Sequence, residues 1–90
     1  MHAVVVRVTI HDEEEATKAL RGQVVPRVSA APGFVAGYWT RGEGSDGLSM
    51  LLFESEEAAR AAADRVGENV PAAVTLESVE VREVVEHAGR

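Results

Sequence analysis

Apolar residues alternate with other types in four stretches of the chain and recur at helical spacing in two. Residues 2–10, HAVVVRVTI, are dense in β-branched side chains. Val4, Val6, Val8 and Ile10 fall on one face, and Ala3, Val5, Arg7 and Thr9 on the other. That period of two predicts a strand with one strongly apolar face and one mixed face. Asp12 then opens a helix, with Glu15 three residues on as in a capping box. Glu13, Glu14 and Glu15 put negative charge in the first turn, where the helix dipole favours it. Ala16, Leu20, Val24 and Val28 recur every fourth residue as an apolar stripe. Pro26 lies inside that stripe, removes one hydrogen bond and crowds the carbonyl of Gly22. A kink or short break is expected between Gly22 and Pro26, with helix resuming to about Ala30. Ala31-Pro32-Gly33 is a stop signal.

The second half repeats the outline. Residues 34–41, FVAGYWTR, read as a strand with Phe34, Ala36, Tyr38 and Thr40 on one face. Gly42 to Gly47 is a turn-rich loop, and residues 48–54 form a third strand, hairpin-paired with the second. Ser55 caps a second helix whose Ala59, Ala62, Ala63 and Val66 make a narrow, small-residue face. Such a face lets a helix approach a sheet closely. Gly67 and Pro71 end it. Residues 75–87 form a fourth strand, and the tail from Ala88 is expected to fray. The order βαββαβ predicts one α+β domain over residues 1–90, a ferredoxin-like four-stranded antiparallel sheet with two helices on one face. Strands one and three take the centre, two and four the edges. The open sheet face carries bulky apolar groups, and a second copy of the chain is its simplest cover.

Composition narrows the chemistry. With 90 residues the chain is one domain of modest margin. Its net charge of −6 gives no basic face for nucleic acid. There is no apolar run long enough for a membrane helix and no signal-peptide pattern, so a cytoplasmic protein is expected. Cysteine is absent, which excludes disulfides, thiolate nucleophiles and cysteine-bound metal. No histidine pair has metal-ligand spacing, and Asp12–Glu15 is explained as helix capping. No cofactor or metal site is expected. The Gly42–Gly47 loop joins two strands and opens no helix, so it is not a phosphate loop.

Ala31-Pro32-Gly33-Phe34-Val35-Ala36-Gly37-Tyr38-Trp39, then Leu48–Phe53 and Glu54-Ser55-Glu56-Glu57-Ala58-Ala59, resemble the dimeric α/β-barrel superfamily, antibiotic-biosynthesis-monooxygenase-like group. The resemblance covers nearly the whole chain. It implies two sheets packed face to face in a homodimer, with a pocket in each subunit between the open sheet face and its surroundings. It also implies a choice of activities: oxygenation of an aromatic molecule without metal or flavin, haem degradation, or lactone isomerisation. The group's haem degraders use an Asn on the first strand, a Trp and a His. Here strand one carries no Asn, and Asn69 follows the second helix. The family tryptophan commonly sits near the end of strand three, where this chain has Phe53 and Glu54; Trp39 is on strand two.

A short list of residues is left to carry chemistry. Tyr38 and Trp39 are adjacent, so one meets the helices and the other the open face. Either ring suits stacking on a planar aromatic ligand, and both equally suit a core or a dimer interface. Arg7 sits mid-strand between valines; inside a barrel its charge needs a partner, and Glu80 of the same or the second subunit is the expected one. The functional alternative is a clamp for an oxyanion. His11 and His87 stand near strand ends, where they serve as general base or are simply solvated; His2 is similar. The expected catalytic set is therefore Arg7, Trp39 and His87, with Tyr38, Phe53 and His11 in contact with substrate. The function expected from this set is a cofactor-independent, monooxygenase-like homodimer that binds a small apolar or aromatic molecule. The alternatives are a non-catalytic binding or assembly module and a lactone-isomerase-like enzyme.

Overall fold

A computed structural model describes residues 1–89. The elements are β1 (His2–Ile10), α1 (Glu13–Ala19), a π-helical turn (Leu20–Val24), α2 (Val25–Ser29), β2 (Phe34–Arg41), β3 (Asp46–Phe53), α3 (Glu56–Val66) and β4 (Val74–Glu83). The sheet order is β2-β3-β1-β4, antiparallel at every pairing. This is the predicted ferredoxin-like α+β arrangement. Among the described residues no helix is long and apolar enough to cross a membrane.

The helices begin where the sequence caps them. Asp12 accepts a hydrogen bond from the Glu15 amide at 3.1 Å, and Ser55 accepts one from Ala58 at 3.1 Å. Around Pro26 the chain neither breaks nor kinks into a loop. It widens into a π-helical turn over Leu20–Val24 and re-enters α-helix with Pro26 in its first turn. In that register the Val25 amide bonds the Leu20 carbonyl five residues back, and the proline, early in α2, occupies a position where a missing amide hydrogen is tolerated. Gly33 closes the segment with φ +79°, and a side chain there would meet Ala58 Cβ at 2.8 Å.

Two strand boundaries differ from the expected ones by more than a single residue. β3 starts at Asp46, not Leu48, because Gly47 pairs with Val8. A Cβ on Gly47 would lie 2.7 Å from Val8 Cγ2, so glycine here serves close contact and not only a turn. β4 ends at Glu83, so His87 lies beyond it in an exposed tail. Its ladder partner β1 begins at His2, and beyond that no strand remains to pair with. Ala88 and Gly89 have no regular structure, and Arg90 lies outside the described residues.

The faces follow the alternation with one exception. Val4, Val6, Leu51 and Phe53 of the sheet form the buried core with Ala59 of α3. Phe34 was expected beside Tyr38, but a register shift between Phe34 and Ala36 turns it to the helix side. There its ring meets Phe53 edge-on, centroids 5.8 Å apart. The Arg7–Glu80 pair does not form within the chain: Glu80 binds Arg82 at 3.3 Å, and Arg7 pairs in register with Ser78 across a β-bulge.

Two stability predictions follow from this packing. Phe53 is 0% exposed, so Phe53→Ala should cost about 3–5 kcal/mol in urea unfolding. The Glu56 carboxyl is held below its usual range by the hydrogen bond and charge of Arg60, with a smaller contribution from His2. A depressed folded-state pKa stabilises above the unfolded value and is lost as pH falls through the folded one. Glu56→Gln should therefore lower the unfolding midpoint slightly at pH 7, and the difference should vanish in acid, below the usual carboxylate range.

Candidate ligand cleft

The two helical segments rest on the sheet unequally. α3 seats Ala59 directly against β1 and β3, and Ala62, Ala63 and Val66 extend that contact. The α1–α2 segment buries none of its residues fully. It touches the sheet mainly where α2 meets β2. Its apolar stripe, Ala16, Leu20, Val24 and Val28, instead lines a cleft of about 910 Å³. The floor is Val6, Val8, Leu51 and Gly47. That volume lies within the range of small-molecule sites, roughly 300–1,000 Å³.

Trp39 forms a flat part of the wall. Its indole folds back along β2 over Gly37: a Cβ on Gly37 would lie 2.8 Å from Trp39 Cη2 and 3.3 Å from Leu51 Cδ2. Gly37 thus leaves room for the ring to lie against the sheet. Polar groups stand at the edges. Arg41 Nη1 donates to Glu13 Oε1 at 2.7 Å, and Arg27 Nη1 donates to Asn69 Oδ1 at 2.8 Å. The second bond links α2 to the turn after α3.

The cleft lies on the helix side of the sheet, not on the open face where it was expected. The expected constellation is therefore divided. Trp39 and Phe53 border the cleft. Arg7 and Tyr38 lie on the opposite face, Tyr38 with 62% of its surface exposed. His11 shares a hydrogen bond with Thr75 Oγ1 at the end of β1, and His87 is in the tail; neither borders the cleft. Sequence reasoning passed over Arg27 and Arg65 and set Asn69 aside as following the second helix; all three border the cleft. Their signal was weak, because two of them look like ordinary last-turn helix residues. Among the described residues no histidine, cysteine, methionine, tyrosine or lysine borders the cleft. Nor do three or more of the His, Cys, Asp and Glu side chains gather in a metal-holding group.

Comparison with known proteins gives a consistent fold. No family model and no curated protein matches the sequence. Among solved structures, a point mutant of MhuD with two manganese protoporphyrin IX bound per active site superposes with TM-score 0.67 at 18% identity, each chain covered in full. A dimeric ferredoxin-like protein from an uncultured marine organism gives 0.63 at 12% identity, again over 100% of both chains. The heme-degrader MhuD from Mycobacterium tuberculosis, with two hemes in its active site, gives 0.55 at 25% identity over 96% of this chain and 99% of that one. This chain shares the ferredoxin-like fold of these structures, one of which is described as dimeric.

Gly37→Ala should lift the indole from the sheet. Trp39 is the only tryptophan, so its emission reads the change directly. A shift of the emission maximum with an unchanged far-ultraviolet spectrum is the expected result.

Proposed function

We propose that each subunit binds a small, apolar, aromatic molecule in the cleft beneath the helices, and that two subunits pair through their open sheet faces. The observation that carries the first part is the flat indole of Trp39 set into a largely apolar wall around about 910 Å³. An apolar ring gains from leaving water there, and indole adds stacking contact. A dimeric ferredoxin-like neighbour and the porphyrins held by MhuD support both parts at the level of the fold.

An iron porphyrin is a poor match for this cleft. The apolar walls suit the ring, but iron takes an axial ligand from His, Cys, Met or Tyr. Among the described lining residues none of these is present. The same inventory bears on cofactor-free oxygenation, which needs a group to take a proton from the substrate. Among the described residues Glu13 is the one carboxylate that borders the cleft, and it is tied to Arg41. That lining favours binding without chemistry over oxygenation. The test is a panel of quinols and anthrones supplied with oxygen. Quenching of Trp39 without product formation is the expected result. Turnover that Trp39→Phe abolishes would establish the oxygenase instead, and no quenching by any member would remove the cleft from consideration.

The dimer rests on the other face. Met50 is 43% exposed and Tyr38 62%, beside Leu48 and Leu52 on the same side. These are large apolar groups in adjacent strands, a patch suited to burial between copies. Light scattering at micromolar concentration should give twice the chain mass, and Met50→Asp should give a folded monomer. A wild-type chain that is monomeric and stably folded at that concentration overturns the pairing.

A further inference from the structure

Among the described residues, Lys18, Arg41, Arg60 and Arg82 are answered by a carboxylate, and Arg7, Arg21, Arg27 and Arg65 are not. Lys18 meets Glu14 and Glu15, Arg41 meets Glu13, Arg60 meets Glu56 and Arg82 meets Glu80. Three arginines border the cleft, and only Arg41 is among those paired. Arg27 has a neutral acceptor, the Asn69 amide oxygen at 2.8 Å. The same amide donates through Nδ2 to the Arg65 carbonyl oxygen at 3.4 Å. Asn69 therefore ties the head of Arg27 to the last turn of α3, where Arg65 stands. Among the described residues no carboxylate oxygen lies within 4.0 Å of either guanidinium.

We propose that Arg27 and Arg65 form an anion subsite at the edge of the cleft, and that the ligand is an apolar, aromatic molecule bearing a carboxylate. The proposal rests on the cleft reading above and names the class of molecule that the cleft takes. Its logic is electrostatic. A chain of net charge −6 repels anions at long range, so an anionic ligand needs local positive charge at the site. Two uncompensated guanidinium groups beside an apolar wall supply it, and their planar N–H forks match a carboxylate. Arg27 spends one N–H on Asn69 and keeps the others free. The subsite lies at the C-terminal end of α3, whose dipole presents partial negative charge. That end suits a singly charged carboxylate better than a dianionic phosphate. The ring of such a ligand extends along the same cleft against Leu51 and Trp39.

Titration calorimetry with 2-naphthoate and with 2-naphthamide separates this proposal from the one it rests on. The two compounds share ring and shape and differ in charge. The wild-type protein should bind naphthoate about tenfold more tightly at low ionic strength, the scale of one charge-assisted hydrogen bond. Raising salt to about 0.5 M should shrink that preference. In the double variant Arg27→Gln, Arg65→Gln the preference should disappear while naphthamide affinity stays the same. Equal binding of both compounds to the wild type, or a preference that survives both substitutions, overturns the anion subsite alone. Binding of neither compound overturns the cleft reading together with it.

Discussion

The close seating of α3 on the sheet is the contact on which the rest of this structure depends. Ala59 is 0% exposed, with Val4, Val6, Leu51 and Phe53 around it. Alanine permits that approach because it brings no side chain of its own into the gap. Once α3 is fixed there, Gly33 against Ala58 and the Glu54 amide donating to the Gly33 carbonyl at 2.8 Å pin the end of the first helical segment beside it. The first segment is thus held at its C-terminal end and at its N-terminal cap, where the Asp12 amide reaches the Ala73 carbonyl. Between those anchors its stripe is mostly larger, Leu20, Val24 and Val28 after Ala16, and the segment stands off the sheet. The cleft is the consequence of one helix with a small face and one without.

The sheet divides two tasks between its faces, and the division was half legible. Alternation in β1 identified Val4, Val6 and Val8 as the helix side without ambiguity, because the opposite face holds Arg7 and Thr9. The pair Tyr38-Trp39 had to split between faces, and period two alone gave no means to say which went where. The answer came from Gly37, whose missing side chain makes a bed for the indole on the helix side. Phe34 was misassigned because a bulge at Val35 adds a residue to the count, and a bulge leaves little trace in a short strand.

The site was harder to read than the fold for a physical reason. Strand and helix periods declare which side of an element is apolar, but not how far two apolar sides stand apart. An apolar stripe that packs and one that lines a cleft have the same composition. The search for chemistry therefore went to the residue types with reactive groups, Arg7, His11 and His87, and these lie on the open face, at a strand end and in a tail. The groups that do border the cleft, Arg27 and Arg65, looked like helix-dipole partners. Their lack of a carboxylate is a fact of three dimensions.

Both assembly and ligand then answer the same deficiency. Small domains bury a smaller share of their surface than large ones, and here seven hydrophobic residues fall below a tenth of their possible exposure. The first helical segment contributes none of them. A chain built this way leaves apolar surface on both sides of its sheet, at the open face and in the cleft. A second copy would cover the first and a bound ring the second; each would bind the folded chain alone and so add to stability by mass action. The two effects are separable because they lie on opposite faces. A ligand that fills the cleft should raise the unfolding temperature of a Met50→Asp monomer as it does that of the wild type, though from a lower starting point.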